Sequence, residues 1–470
     1  MKILITNSPL HFTHGHTLTQ ADWQTLVLPT LASIVGESKH QLRLVDNMTG
    51  IVKSNCVMEN VRDFDPDVIA FSIIAGRDIF NTIAVIEKVR KTYPNKIILA
   101  GGQGGSFYDD LLLKSGVNCV VRGEGEQTLS ELVQAIENGV KDFSAINGVS
   151  FYKDGAYCKT PERQKIKKLD DTPFPAVHLM PPRKSLWFAG RLTGSIETSR
   201  GCPFDCNFCA ITSFWDRSFR RKSPERIVAE MEVLSKMGRT HIYMADDNFG
   251  MGTKHHTELF ELILKKGLDV RFFAQMRTDT IGDHPEMIKL AAKAGLYGAL
   301  IGFDTYDEDT FHHITKVGSV ELNQKCTDVL RKNKIMIFGS HIYALPSQKE
   351  PLEFSKTFWK GRRNSDLFRM PHFSLLPGTK LYADTITEET IANAKHKDDF
   401  RMLIRPEKEM KKFRRWYTIF NMLHIFLPDE IFKTFFHPNP NVRTIKRRGY
   451  IGIARHWFYK YARKFGIVEI

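Results

Sequence analysis

Over residues 1–150, short apolar runs alternate with stretches of helical periodicity. The pattern predicts helices over Thr25–Val35 and Glu126–Asn138, and strands over Lys2–Asn7, Gln41–Asp46, Asp67–Ile74, Lys96–Ala100 and Asn118–Arg122. Strands that alternate with helices are typical of a parallel sheet covered by helices on both faces. The pattern therefore predicts an α/β fold that begins with a doubly wound, Rossmann-like domain over residues 1–150.

The turns that follow three of these strands are rich in glycine or small polar residues. They are Ser72–Gly76, Gly101–Ser106 and Gly123–Glu126. Ligands of doubly wound sheets bind at such turns, and glycine lets the backbone approach a ligand closely. None of the three turns fits the dinucleotide or phosphate-loop consensus. The residues alone are compatible with ligand-binding loops and with ordinary tight turns.

A proline-containing stretch, residues 151–190, predicts a linker with a hairpin turn at Lys153–Gly155. Residues 191–385 then repeat strand and helix. The predicted strands are Gly194–Thr198, His241–Ala245, Val270–Arg277, Leu296–Phe303, Met336–Tyr343 and Met370–Leu376. Six such units fall short of the eight of a closed barrel, so we expect a partial six-stranded, TIM-like barrel with its site where the strands end.

Residues 386–470 predict a helical region rich in basic and aromatic residues. Helices are expected over Glu407–Phe426 and Pro428–Phe436, with further charge at Lys446–Arg448 and Arg455–Lys464. A basic amphipathic helix can lie on an anionic membrane, which predicts peripheral membrane contact as one role. The alternative, which we favour, is a cap that packs its aromatic side chains on the barrel and closes the substrate cavity.

Composition limits the class of protein. The chain has 470 residues, of which 42% are hydrophobic and 26% charged, as in soluble proteins of two or three domains. Its N-terminus resembles a strand and not a signal peptide. The seven cysteines are not spaced as in a disulfide framework, which predicts a reducing, cytoplasmic location. The net charge of +14 suits an anionic partner or a solvated surface equally. We find no nucleic-acid-binding module and expect no nucleic acid partner.

Three cysteines lie close together at Cys202, Cys206 and Cys209, in the spacing C-x3-C-x2-C. Thiolates at this spacing can surround one soft metal centre. A structural zinc site and an electron-transfer iron–sulfur cluster each require four ligands. Three thiolates on a four-iron cluster leave one iron free to bind a small molecule. The alternatives are incidental buried cysteines or half of a zinc site.

The cysteine motif, with the aromatic Phe208, resembles that of the radical S-adenosylmethionine (SAM) superfamily. The run from Glu197 to Cys209 is similar to the subset that carries an N-terminal cobalamin-binding domain. The resemblance implies that the three cysteines hold a 4Fe–4S cluster and that SAM binds the fourth iron. It also implies reductive cleavage of SAM to a 5′-deoxyadenosyl radical, and cobalamin that can deliver a methyl group to the substrate. The predicted function is methylation of an unactivated carbon.

The resemblance also suggests which other residues bind the cofactors. Arg277 is assigned to the SAM carboxylate, and Asp246, Asp247 and Asp304, with Phe208, to the SAM site. Cobalamin is assigned to the turn residues Ser72, Gly101, Gly102, Gly123 and Glu124. The chain departs from its relatives in three places: Met48 stands where other cobalamin proteins have a cobalt-ligating histidine, the Gly101–Ser106 turn lacks a Pro-His pair, and Asp304-Thr305 replaces Glu-Ser. We therefore expect no histidine ligand to cobalt.

Two alternatives remain open, and a third does not match the sequence. The enzyme could cyclise or rearrange its substrate without net methylation, as anaerobic tetrapyrrole cyclases do, or the chain could be a non-catalytic cobalamin- or cluster-binding sensor. A methylthiolating enzyme would need a second cluster, and Cys56, Cys119 and Cys158 do not match its pattern. The expected partners are a small-molecule substrate, anionic or lipid- or tetrapyrrole-like, and a reductant such as flavodoxin or ferredoxin.

Overall fold

The computed structural model of the protein describes residues 1–7, 25–47, 56–74, 78–180, 187–188, 191–345, 348, 350–387, 407–425, 427–437, 442–443 and 446–447. The described residues do not include Met48–Gly50, residues 75–77 or Arg455–Lys464, where parts of the sequence predictions lie.

The first sheet has seven strands in the order β2-β1-β3-β4-β5-β6-β7. The strands are β1 (Lys2–Asn7), β2 (Gln41–Val45), β3 (Val68–Ser72), β4 (Ile97–Gly101), β5 (Cys119–Val121), β6 (Val149–Lys153) and β7 (Ala156–Lys159). Strands β1 to β5 are parallel, and β6 and β7 form an antiparallel hairpin at the edge. The helices are α1 (Val27–Val35), α2 (Cys56–Phe64), α3 (Asp78–Thr92), α4 (Gly102–Phe107), α5 (Asp109–Lys114) and α6 (Gly125–Glu137).

Helices cover both faces of this sheet, as the apolar strands predict. Along β1, Ile3 and Ile5 belong to one hydrophobic core and Leu4 belongs to the other. Side chains alternate across a sheet, so a strand buried on both faces must be apolar at nearly every position. The predicted doubly wound domain is confirmed. The expected boundary at residue 150 falls inside β6, however, because the hairpin turn at Lys153–Gly155 joins two strands of the same sheet.

The second sheet has the order β16-β15-β14-β13-β12-β9-β8. Its strands are β8 (Trp187–Phe188), β9 (Arg191–Ile196), β12 (His241–Met244), β13 (Arg271–Met276), β14 (Leu296–Asp304), β15 (Met336–His341) and β16 (Leu367–Arg369), and the short hairpin β10 (Ser199–Arg200) and β11 (Arg220–Arg221) stands apart. Six strands from β9 to β16 are parallel. The helices are α7 (Ala210–Trp215), α8 (Pro224–Lys236), α9 (Thr253–Lys265), α10 (Thr278–Gly282), α11 (Pro285–Ala294), α12 (Glu308–His313), α13 (Val320–Lys332), α14 (Ser355–Asn364) and α15 (Lys380–Thr385).

This arrangement is the predicted partial barrel. On β13, Phe272 packs in the core between strands and helices, whereas Phe273 packs in a separate cluster on the other face, the barrel lumen. The sixth strand was predicted at Met370–Leu376, and the position is wrong: β16 ends at Arg369. Pro371 has no N–H to donate to β15, so the ladder stops and only an isolated bridge between Tyr343 and His372 continues it.

Two helices follow, α16 (Glu407–Ile425) and α17 (Pro428–Phe436). On α16, Phe413 is buried and Tyr417 stacks on Tyr343 with ring centroids 4.2 Å apart. Phe420 stacks on Phe358 of α14 at 5.2 Å. These contacts support the interpretation of α16 as a cap on the barrel. Within the described residues, no helix has both the length and the apolar character that a membrane crossing requires.

Candidate active site

The three cysteines lie in a loop fixed at both ends by the β10–β11 hairpin. Gly201 begins the loop with φ of 86°, and a β-carbon there would come within 2.1 Å of the Ser218 carbonyl oxygen. Only glycine fits this position. Further along, Asn207 donates to the carbonyl of His313 at 2.9 Å and accepts from Leu381 N at 2.9 Å. The loop is therefore held by elements that are far apart in sequence.

The cysteine side chains are partly buried, and burial raises the pKa of all three thiols, that of Cys206 to about 11. Groups that favour thiolate surround them. Backbone N–H groups face Cys202 and Cys209, the Asn248 amide lies 3.7 Å from Cys202 Sγ, and the positive charges of Arg277 and Lys316 act on Cys206. Such N–H donors and cations stabilise anionic sulfur.

The donor set is compatible with an iron–sulfur cluster. Three thiols with N–H donors and two cations nearby match the needs of an anionic cluster. The residues present therefore fit a 4Fe–4S cluster with one iron not bound by the protein.

Arg277 lies beside the cysteine loop, as predicted, but it already has a partner. Its guanidinium forms a salt bridge with Asp279 at 2.8 Å and stacks over the Phe204 ring, with Cζ 3.5 Å from the ring centroid. It also donates to the Val317 carbonyl at 3.0 Å. Its assignment to the SAM carboxylate remains a prediction, and Asp279 would share the guanidinium with that ligand.

Asp246 and Asp247, which follow β12, both bind the segment that leads into the cysteine loop. Asp246 is buried and accepts hydrogen bonds from Thr198 N at 2.6 Å, from Ser199 Oγ at 2.7 Å and from the Thr198 hydroxyl. Asp247 accepts from Gly201 N at 3.1 Å. Burial raises the pKa of each carboxyl to about 6. Both carboxylate oxygens of Asp246 accept hydrogen bonds from Thr198 and Ser199, which favours a structural role in holding this segment over binding of SAM.

Asp304 ends β14 in the left-handed region, with φ of 58°, at a bulge in the pairing with β15. It forms an ion pair with Lys316, which also donates to the Gly302 carbonyl. Both charges act on Cys206. The sequence did not single out Lys316, because it lies in a loop twelve residues beyond the strand and no motif marks it. Phe208 packs edge-on against Phe373, with centroids 6.4 Å apart.

The predicted turns of the first domain meet at one edge of its sheet. Ser72 and Gly101 are neighbours across β3 and β4, and Gly123 N donates to Ser106 Oγ at 2.9 Å. Gly102 has φ of 85°, and a β-carbon there would lie 2.7 Å from the Ile73 carbonyl oxygen. The structure thus brings four of the predicted cobalamin residues, Ser72, Gly101, Gly102 and Gly123, to one place.

Glu124, the fifth, has a different environment. Its two carboxylate oxygens bind Arg200 at 2.7 Å and Arg220 at 2.8 Å, and it also accepts from Ile166 N at 2.7 Å. Arg200 binds Glu126 at 2.6 Å and Glu197 at 2.7 Å. We call these five charged residues the ionic bridge. It joins the Gly123–Glu126 turn of the first domain to the hairpin that holds the cysteine loop.

Comparisons with known proteins agree with this geometry. Residues 196–353 match the Radical SAM superfamily, and residues 18–133 match the B12 binding domain. The chain therefore belongs to the radical SAM superfamily, in the group with an N-terminal B12-binding domain. This is a family of enzymes.

Individual relatives span most of the chain. An uncharacterized methyltransferase of Pyrococcus horikoshii is 27% identical over 372 residues, which are 78% of each protein. An anaerobic magnesium-protoporphyrin IX monomethyl ester cyclase of Synechocystis is 23% identical over 100% of this chain and 93% of its own length. The radical SAM methyltransferase TsrM of Kitasatospora setae, solved with cobalamin and a 4Fe–4S cluster, superposes with a TM-score of 0.64 at 16% identity over 84% of this chain and 79% of its own. This last likeness shows a shared fold.

Proposed function

We propose that the protein is a cobalamin-dependent radical SAM enzyme that methylates an unactivated carbon of a small molecule. The observation that carries the proposal is the ionic bridge, which links a three-cysteine loop in one domain to the glycine-rich turns of a B12-binding domain. The relatives named as methyltransferases favour methyl transfer, whereas the tetrapyrrole cyclase among them keeps the cyclase alternative open.

In this proposal Cys202, Cys206 and Cys209 hold the cluster, and the turn residues Ser72, Gly101, Gly102 and Gly123 bring backbone close to cobalamin. When bound, the cluster and SAM supply a 5′-deoxyadenosyl radical, and cobalamin supplies methyl transfer. Asp246 and Asp247 hold the cysteine loop through Thr198 and Gly201. Arg277 and Lys316 place positive charge beside Cys206, and Arg277 would bind the SAM carboxylate. The α16 cap excludes water from the barrel mouth.

The test is anaerobic reconstitution with iron, sulfide and hydroxocobalamin, followed by incubation with a strong reductant and SAM that carries a deuterated methyl group. We expect 5′-deoxyadenosine to form, and we expect the label to appear in the natural substrate when candidate substrates are added. The variant with alanine at all three cysteines should form neither. Formation of 5′-deoxyadenosine without label transfer would favour the cyclase, and no 5′-deoxyadenosine would favour the sensor.

We also propose two partners, a flavodoxin- or ferredoxin-like reductant and an anionic membrane surface. For the membrane, the support is α17, where Phe432, Phe435 and Phe436 are 59%, 51% and 67% exposed. The neighbouring α16 is rich in exposed lysine and arginine, including Lys411 and Arg415. Exposed aromatic rings beside basic side chains suit an anionic interface.

Vesicle sedimentation tests this contact. The protein should sediment with phosphatidylglycerol-containing vesicles and not with pure phosphatidylcholine, and replacement of the three phenylalanines by serine should release it. Equal sedimentation of wild type and variant would reject the surface. For the reductant, reduced flavodoxin should replace the chemical reductant in the 5′-deoxyadenosine assay.

A further inference from the structure

The barrel lumen is divided into an apolar layer and a polar layer. On β15, Met336 and Phe338 pack with Phe273 and Leu367 in the lumen cluster. Two residues further along the strand, on the same face, is Ser340. The lumen is therefore filled with apolar side chains towards the start of the strands and becomes polar towards their ends.

The polar layer runs across three neighbouring strands. Gly302 of β14 pairs with Ser340 of β15, and Ser340 pairs with Arg369 of β16. Register partners on adjacent parallel strands lie on the same face of a sheet. A β-carbon at Gly302 would lie 3.2 Å from Lys316 Nζ and 3.7 Å from the Asp304 carboxylate, the pair that acts on Cys206. This layer of the lumen thus faces the cysteine loop.

Arg369 lies at the β16 end of this layer, and no carboxylate pairs with it among the residues that the structure describes. Its Nε donates to the neutral Ser340 Oγ at 3.2 Å, and among the described residues Nη1 and Nη2 have no hydrogen-bond partner. The groups that act on its charge are the phenols of Tyr243 and Tyr417, and its Cζ lies 5.9 Å from the Phe338 ring centroid. Burial lowers the pKa of Arg369, but an arginine in this range stays charged.

Arg369 is half-buried, so without a counter-ion its charge loses part of its hydration, and a ligand anion would offset that cost. We propose that Arg369 binds an anionic group of the substrate, a carboxylate or a phosphate, inside the barrel, with the apolar part of the substrate against Phe338, Tyr243 and Tyr417. A guanidinium with one free edge can bind either anion through two parallel N–H donors. The inference rests on the proposed function, since it names the substrate class of the same site.

The test measures binding of three probes to the reconstituted holoenzyme by ligand-observed NMR: octanoate, octyl phosphate and the uncharged octanamide. We expect one or both anions to bind at least tenfold more tightly than octanamide. Arg369→Gln should weaken anion binding by at least tenfold and leave octanamide unchanged. The matched control is Arg363→Gln on the exposed side of α14, which should leave all three affinities unchanged. The stronger anion identifies carboxylate or phosphate as the natural group.

Three results would overturn the inference. The first is that wild type binds neither anion, and the second is that Arg369→Gln binds them as well as wild type. The third is that Arg369→Gln abolishes the change that SAM causes in the electron paramagnetic resonance spectrum of the reduced cluster, since Arg369 would then serve the SAM carboxylate. Probe binding does not depend on SAM cleavage. A protein that binds octanoate through Arg369 but forms no 5′-deoxyadenosine would reject the proposed function and keep the anion site.

Discussion

Arg200 is buried and Arg369 is half-buried, and the two arginines differ in their partners. Arg200, at the seam between the domains, binds three carboxylates at 2.6 to 2.7 Å. Arg369, in the barrel lumen, donates to one neutral hydroxyl. Burial acts to lower the pKa of both guanidiniums, but the carboxylates around Arg200 raise its pKa above the ordinary value, whereas the pKa of Arg369 stays lowered.

The difference indicates that the charge of Arg200 is structural, whereas the charge of Arg369 is available to bind a ligand. The ionic bridge carries two positive and three negative side chains, so each cation in it is compensated inside the protein. Its role is to hold the first-domain turn against the hairpin of the cysteine loop. At Arg369 the compensation is missing from the described residues, and the free energy of binding an anion there would include the relief of an unpaired charge.

The largest effect is expected from Arg200→Met. The change leaves Glu126 and Glu197 without their cation and Glu124 with Arg220 alone, so it should lower the free energy of unfolding by about 3–5 kcal/mol. Chemical denaturation measures the loss. Iron and cobalamin contents after reconstitution should fall together, because the bridge holds the loops of both domains.

The matched control is Arg217→Met. Arg217 pairs with Asp205 at 2.6 Å, but the two side chains are 58% and 52% exposed, so the expected cost is about 1 kcal/mol or less. If both variants lost the same stability, the ionic bridge would contribute no more than a surface pair, and its proposed role would be wrong.

The sequence contained enough information for the fold class and for the cysteine loop. Strand and helix periodicities predicted a parallel sheet in each domain, because each buried strand is a compact apolar run between turns. The cysteine spacing is local, so it could be interpreted without tertiary structure. The turns at Ser72, Gly101 and Gly123 were predicted to lie together for a topological reason, since the ends of parallel strands share one edge.

The sequence could not predict which charges pair across long separations. Glu124 was assigned to cobalamin, but it lies 76 residues before Arg200 and 96 before Arg220, its partners in the structure. Lys316 was missed because it lies in a loop that no motif marks, twelve residues beyond Asp304. Arg369 was missed because the sixth strand was placed one residue beyond it, so its position at a strand end opposite Ser340 was not visible.

The second prediction concerns Asp246. This buried carboxylate accepts hydrogen bonds from neutral N–H and O–H groups and forms no ion pair among the described residues. Burial raises its pKa to about 6 in the folded protein, above an unfolded value near 4. The folded state therefore binds the proton more tightly, and this group lowers the stability as the pH rises from 4 to 6. Relative to Asp246→Asn, wild type should lose on the order of 2 kcal/mol over this interval.

Urea denaturation of wild type and Asp246→Asn at pH 4.5, 5.5 and 7 gives the free energy of unfolding of each protein as a function of pH, and the test compares these two profiles. Asp304→Asn is the matched control, because it removes a different carboxylate and retains Asp246, so its profile should keep the fall. Parallel profiles for wild type and Asp246→Asn would mean that the hydrogen bonds from Thr198 and Ser199 fully compensate burial, and that Asp246 is ionised at no cost.

The smallest effect on stability, and the one of opposite sign, is expected from Arg369→Met. Replacing a half-buried cation that has no carboxylate partner among the described residues by an apolar side chain of similar length should leave the free energy of unfolding unchanged or raise it by about 1 kcal/mol, since it removes a desolvation cost and loses only the bond to Ser340. Thermal denaturation without ligand measures this. Octanoate at saturation should stabilise wild type and not the variant, because only wild type offers it a cation. A loss of several kcal/mol without ligand would show that Arg369 is a structural charge like Arg200, and the contrast between the two would disappear.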